Sequence, residues 1–177
     1  DQVPHIEISR EIARRFNNQF GDTFPEPEAL LTKFSRLSGL DGNAKMSKSL
    51  NNTILLSDDS ETVKSRMKKA AIDPNKQRKG DPGNPEVCVV FSYHKKFNTE
   101  EISEIEAGCR SGALGCFDCK MNCAKKISNF LEPIMEKRRY YESNFDEVKD
   151  ILYNGEQQGR KVAEETMNEV HDKMKLG

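Results

Sequence analysis

Gly39-Leu40-Asp41-Gly42-Asn43-Ala44-Lys45-Met46-Ser47-Lys48-Ser49 is a turn-forming run followed by two lysines and two serines around one apolar residue. Glycine, aspartate and asparagine supply the chemistry of a tight surface turn. The five residues from Lys45 to Ser49 have neither helical nor strand periodicity and are too polar for a core. They form a loop that carries two positive charges three residues apart, with hydroxyls beside them. Lysine is a point charge on a flexible stem, which suits a polyphosphate that changes shape during reaction. A solvated basic loop is the competing reading, and the rest of the chain decides between them.

At 177 residues the chain can hold one ordinary domain or pieces of two. Lys and Arg number 28 against 29 Asp and Glu, so no global basic excess marks a small nucleic-acid binder, and RNA contact would need local patches. An apolar fraction of 35% and a mean hydropathy of −0.79 describe a surface-rich chain. No apolar run approaches the roughly 20 residues of a bilayer span. The start, Asp1-Gln2-Val3-Pro4-His5, has no basic n-region or apolar h-region and reads as a chain entered part-way through a larger protein.

Helical spacing of Ile6, Ile12, Ala13, Phe16 and Phe20 predicts an amphipathic helix from Pro4, ended by Gly21. Asp1 and Gln2 then stand at a helix N-terminus, where free N–H groups favour an anionic ligand; a plain helix cap explains Asp1 equally well. Residues 22–32 read as a loop, residues 34–40 as a short strand or turn, and Thr53–Leu56 as a brief extended segment. Ser57-Asp58-Asp59-Ser60-Glu61 opens a helix to about Ala71. Its Lys64, Arg66, Lys68 and Lys69, continued by Lys76, Arg78 and Lys79, make the one clear positive patch, which a solvated face explains more readily than phosphate binding. Residues 73–85 read as a linker or long functional loop.

From Pro85 onward the chain reads as helical. Val87–Tyr93 is expected as a core helix, and Asn98 with Glu101 as the start of the next. A longer helix follows from Ala124 to Arg138, with a kink at Pro133. Asn144 with Glu147 predicts a short helix broken at Gly155, and a last amphipathic helix runs through Val162, Met167 and Met174.

Cys109, Cys116 and Cys119 have the spacing C-x6-C-x2-C, with Cys88 upstream. A C-x2-C pair puts two thiolates on one centre, and four thiolates without histidine suit tetrahedral zinc (Zn2+) or a [4Fe-4S] cluster. Cys123, four residues past Cys119, competes with Cys88 for the fourth place; reduced, unligated cysteines are the remaining alternative.

Asp1-Gln2-x-x-His5-x-Glu7-x-x-Arg10-x-Ile12-Ala13-x-Arg15-Phe16-Asn17, followed by Lys45–Ser49, resembles the bacterial tryptophanyl-tRNA synthetases, a family of class I aminoacyl-tRNA synthetases. The related tyrosyl enzymes usually continue their Asp-Gln pair with Trp-Gly-Asn, which is absent here. Asp81–Cys88 and Cys109–Cys119 are similar to the members that carry a [4Fe-4S] cluster, although the gap between the first two cysteines departs from their pattern.

The resemblance implies an α/β plus all-α fold, mostly helical in this chain. Residues 1–56 would be the C-terminal part of a Rossmann-type ATP-binding catalytic domain, 57–155 a helical anticodon-binding domain with the cysteine site, and 156–177 a helix packing back on the catalytic domain. It implies a tryptophan–tRNA ligase of the cytoplasm, acting on L-tryptophan, ATP with Mg2+, and tRNA(Trp), and a homodimer at full length. Lys45 and Lys48 would stabilise the leaving pyrophosphate, Ser47 and Ser49 would add hydrogen bonds, and Met46 would anchor the loop. Asp1 would contact ATP, Gln2 would contact ATP or assist Mg2+, and the Arg36 backbone would face the adenine. Cys88, Cys109, Cys116 and Cys119 would hold the metal. The His-x-Gly-His element of the family does not occur in these 177 residues, so the chain is expected to be a fragment, inactive alone in tryptophan-dependent ATP–pyrophosphate exchange. The rival reading is a non-enzymatic, metal-centred helical module that binds RNA.

Overall fold

The computed structural model describes residues 2–32, 37–43 and 46–176. Its helices are α1 (Val3–Phe20), α2 (Ser60–Lys68), α3 (Val89–Phe97), α4 (Ile102–Ser111), α5 (Cys116–Ser143) and α6 (Phe145–Met174), with no strand among the described residues. The mostly helical expectation holds. Of the short strand or turn expected before the Lys45–Ser49 loop, the described residues 37–40 end in a turn, and the extended segment expected at Thr53–Leu56 is irregular backbone ending in a turn.

Contacts divide the chain into two units, one of Asp1–Thr32 with Tyr141–Gly177 and one of Lys33–Tyr140. In the first, proline in the opening turn and Gly21 at φ 96° bound α1. Asn17 folds the following loop back on the helix: its Oδ1 accepts from Thr23 N and Phe24 N at 3.0 Å each, and its Nδ2 donates to Phe24 O at 2.8 Å. Phe16 stacks against Phe20 and Phe24, both with centroids 4.9 Å apart. Lys173 of α6 donates to Asp22 O and Thr23 Oγ1, tying the last turns of that helix to the same loop.

α6 corrects the expectation of two helices. Gly155 and Gly159 lie inside it in open space, and the helix runs on. A helical glycine costs only about 1 kcal/mol against alanine, and pairs such as Asp146–Lys149, Glu156–Arg160 and Glu169–Lys173 line the exposed face.

The second unit holds the larger core. Leu40, Val63, Met67, Ala70, Val89, Val90, Tyr93, Cys123, Ala124, Ile127 and Leu131 form one buried cluster, drawn from α2, α3, α5 and the turn before the lysine-serine loop. Asp59 caps α2, accepting from Thr62 N at 2.7 Å. The core helix expected at Val87–Tyr93 is α3, preceded by a 3-10 turn at Pro85–Val87. Tyr93 is buried, and its hydroxyl donates to Ser38 O at 2.9 Å. The α5 helix begins at Cys116, earlier than foreseen, and continues through Pro133.

Asn98 does not cap α4; it is the C-cap of α3, and Glu101 is the N-cap of α4 without a side-chain cap bond. Burial turns its amide inward, where Nδ2 lies 3.2 Å from His94 Nδ1 and 3.1 Å from Glu101 Oε2. Asn122 Nδ2 and Lys126 Nζ add bonds of 2.7 and 2.6 Å to Glu101, and these donors hold its carboxyl down at about 2. A carboxylate depressed in the folded state contributes stability above its ordinary pKa and loses it as pH falls toward the folded value. Urea midpoints are therefore expected to decline as pH drops from about 4.5 towards 2. In Glu101→Gln that part of the acid slope is absent; an unchanged slope would contradict the assignment.

No helix among the described residues is long and apolar enough to cross a membrane.

Candidate functional site

The lysine-serine loop leaves the core at Leu40, whose buried side chain belongs to the main cluster. Leu40 O accepts from Ala71 N at 2.7 Å, and Leu40 N donates to Asn52 O at 2.8 Å, so one residue joins both sides of the loop to the end of α2. Met46 packs against the core cluster. Ser47 Oγ lies 2.7 Å from Ser49 Oγ, and Asn51 N closes a turn on Lys48 O at 3.1 Å. Asn51 sits at φ 51°, in a left-handed conformation that asparagine tolerates. Lys48 is exposed, and no carboxylate pairs with it among the described residues. An open groove beside the loop is lined by Met46, Ser47, Lys48, Leu55, Ile134 and Arg138, among others.

Lys45, Arg36 and Asp1 lie outside the described residues. Gln2 precedes α1 as its N-cap residue, exposed, with no side-chain cap bond.

Four cysteines line one small cavity together: Cys88 at the N-cap of α3, Cys109 on α4, and Cys116 and Cys119 on the first turns of α5. Ile72, Val90 and Leu114 make its apolar wall. Among the described residues no group of three or more His, Cys, Asp or Glu is placed so that it could hold a metal ion, so the thiols share a cavity without converging. Cys123 is elsewhere: it is buried in the core, with Sγ directed at Val90 O 4.0 Å away.

Burial first, then the charges of Cys88, Cys109 and Cys116, push the Cys119 thiol up to about 12. Burial also raises Cys109 and Cys116, while the nearby Lys76 ammonium opposes the shift in each.

The loop before α3 closes over these thiols and is no loose linker. Asp73 is buried and accepts from Asn75 N at 2.9 Å and Asn84 N at 2.7 Å. Gly83 N donates to Cys109 O at 2.9 Å, and a Cβ on Gly83 would stand 2.8 Å from Cys109 Sγ. Gly112, at φ 79°, ends α4 where a side chain would overlap the backbone of Gly80.

Two residues beside the cavity escaped the sequence reading. Lys76, placed there in the exposed basic patch, is 4% exposed, and Nζ donates to Asp81 O at 2.6 Å and Cys109 O at 3.4 Å. His94 is fully buried, with Nε2 at 3.2 Å from Cys119 O and 3.4 Å from Cys119 Sγ. Desolvation lowers its pKa, so the ring is neutral. Asn98 Nδ2 bonds the Glu101 carboxylate and must be a donor there, so its second hydrogen serves His94 Nδ1 and Nε2 carries the ring proton. Only the clustering of cysteines around an apolar helix could have pointed to His94.

The basic patch is also smaller than the sequence implies. Lys64 pairs with Glu61 at 2.7 Å and Arg66 with Asp58 at 3.0 Å, leaving Lys68, Lys69, Arg78 and Lys79 exposed.

The family described as tRNA synthetases class I (W and Y) matches residues 1–132. A tryptophan–tRNA ligase of Aquifex aeolicus is 48% identical over 99% of this chain and 45% of its own length. One from Thermotoga maritima is 42% identical over 99% of this chain and 54% of its own. The crystal structure of tryptophanyl-tRNA synthetase from Campylobacter jejuni, complexed with ADP and tryptophan, superposes with a TM-score of 0.77 at 30% identity, covering 98% of this chain and 54% of that one. The chain thus spans about half the length of the relatives it matches.

Proposed function

This chain belongs to the class I tRNA synthetases of the tryptophan and tyrosine group, and from that premise we propose that it serves in a tryptophan–tRNA ligase as the C-terminal portion. The observation that carries the proposal is the Met46–Ser49 loop, anchored at its base on a helical core and presenting Lys48 with no paired carboxylate among the described residues. In the proposed reaction the carboxylate of L-tryptophan attacks the α-phosphorus of ATP, pyrophosphate leaves, and the 3′ end of tRNA(Trp) then takes the acyl group as AMP departs. Such phosphoryl chemistry needs positioning and charge stabilisation more than covalent catalysis. Lys45 and Lys48 neutralise charge on the departing pyrophosphate; Ser47 and Ser49 donate to it. Asp1, Gln2 and the Arg36 backbone bind ATP, with Mg2+ on its phosphates.

The domain reading proposed is residues 1–56 in the ATP-binding domain, 57–155 in anticodon recognition and 156–177 as a helix returning to the first. The bonds of Lys173 to Asp22 O and Thr23 Oγ1 support that return. Dimerisation and a cytoplasmic location follow the same reading.

Cys88, Cys109, Cys116 and Cys119 are proposed to hold a metal centre, a [4Fe-4S] cluster by preference over zinc. By type the residues fit such a group: four soft thiols line one small cavity, with the Asp73 carboxylate and the buried Lys76 ammonium also on its wall. When bound, the centre supplies a cross-link. Lys76 supplies positive charge beside the thiolates, and His94 directs its N–H at Cys119.

A chimera tests the function. The aligned half of the Aquifex aeolicus relative is replaced by this chain, and ATP–pyrophosphate exchange and acylation of tRNA(Trp) are measured. Exchange driven by tryptophan and not by tyrosine is expected. Exchange driven by tyrosine, or none from a folded chimera, would overturn the proposal.

A further inference from the structure

We propose that Asp41 and Asn52 are positioning residues, a side-chain clasp that closes the base of the lysine-serine loop and fixes the backbone from which Lys48 projects. Asn52 Nδ2 donates to Asp41 Oδ1 at 2.9 Å, and Asn52 Oδ1 accepts from Ser47 N at 2.8 Å. One buried amide therefore touches the incoming side, the outgoing side and the middle of the loop. Asn43 prepares the carboxylate, giving N to Oδ1 at 3.0 Å and Nδ2 to Oδ2 at 2.7 Å. Gly39 leaves the room: a Cβ there would overlap the Asn52 side chain and stand 2.7 Å from Asp41 Oδ1. Arg66 steadies the exit by donating to Asn51 Oδ1 at 3.1 Å and Thr53 O at 3.0 Å.

The hydrogen bond donated by Asn52, with those from Asn43, holds Asp41 below the usual carboxylate range, as a charged acceptor should be held. Backbone pairing alone ties Leu40 to Asn52; the side chains carry the restraint on to Ser47, next to the lysine. A loop fixed at that point keeps Lys48 near its working pose before ATP arrives, which lowers the ordering cost at the moment of reaction. The catalytic half of this inference rests on the reading of the loop as the pyrophosphate-stabilising element; the clasp itself does not.

The clasp is tested on the 177-residue chain by hydrogen exchange at Ser47–Asn51 and by tryptic cleavage after Lys48. Asn52→Asp sets two carboxylates against each other, and Asp41→Asn in that background restores a donor–acceptor pair. Loop exchange and cleavage are expected to rise about tenfold in Asn52→Asp and to return within about twofold in the double variant. Exchange in α2 and α3 should stay unchanged; if Asn52→Asp loosens them too, Asp41→Ala, at an exposed position, decides on the same readout. No acceleration, or acceleration that the double variant leaves in place, would overturn the clasp. In the chimera, Asn52→Asp should lower exchange about tenfold and the double variant should recover it. A loosened loop with undiminished ATP–pyrophosphate exchange would overturn the positioning role, whereas an inactive parent chimera would count against the functional reading alone.

Discussion

Lys48→Ala is expected to lower kcat for tryptophan-dependent ATP–pyrophosphate exchange in the chimera by about two to three orders of magnitude, the usual loss on removing one preorganised group aimed at transition-state charge. The KM for tryptophan should hardly move. The reason lies in what the loop does with its charge. Lys48 is exposed and unpaired among the described residues, so its ammonium is not spent on the fold. The turn that carries it is closed by Asn51 N on Lys48 O at 3.1 Å, which uses backbone alone, so alanine leaves the turn intact. The loss then falls on the step in which negative charge moves onto the leaving pyrophosphate, and binding of the amino acid is spared. Lys48→Arg keeps the charge but replaces a compact ammonium by a planar fork, so partial recovery, about tenfold below the parent, is expected. Steady-state exchange with each substrate varied in turn checks both statements. A Lys48→Ala chimera with parental kcat would remove the loop from the chemistry.

The helices were legible because their signals are local. Gly21 at φ 96° ends α1 as its sequence position implies, and Asp59 caps α2 at the start of its apolar spacing. Misread elements are those where tertiary contact outweighs local preference. Asn98 looks like a helix cap, yet it is drawn inward by His94 and Glu101. Lys76 reads as one more cation in a basic run, but the carbonyls of Asp81 and Cys109 turn it into the cavity. Gly155 reads as a break because glycine is a poor helix former, although about 1 kcal/mol is too little to stop a 30-residue helix. The candidate site shows the same division. Lys48 and the cysteines announce themselves by type and spacing. Asp41 and Asn52, eleven positions apart, look like ordinary turn residues until the loop closes and brings them to 2.9 Å.

Cys119→Ser is expected to abolish retention of the proposed metal centre, while Cys123→Ser keeps it. Loading the chain anaerobically with iron and sulfide, or with zinc alone, and counting metal per chain after gel filtration reads both outcomes. In the parent, a brown chain with broad visible absorption bleached by reduction identifies iron–sulfur; a colourless chain with one zinc identifies the alternative. Two arguments make Cys119 the decisive member. Its thiol is pushed up to about 12 by burial and by its three neighbours, so without a cation it stays protonated in a dry site. A metal ion reverses that balance by taking the thiolate and releasing the proton. It is also the thiol that His94 addresses at 3.4 Å, so the group best prepared to carry negative charge is the one removed. Cys123 has the opposite setting, 1% exposed among Val90, Ala124 and Ile127, where serine would cost core stability without touching the cavity. Cys88 follows Cys119 in this logic: as the N-cap of α3 it would tie that helix to α4 and α5 through the proposed centre, so Cys88→Ser should lose metal and loosen the loop over residues 73–85. Equal metal retention in Cys119→Ser and the parent, or equal loss in Cys123→Ser and Cys119→Ser, would show that these four thiols do not act as one site.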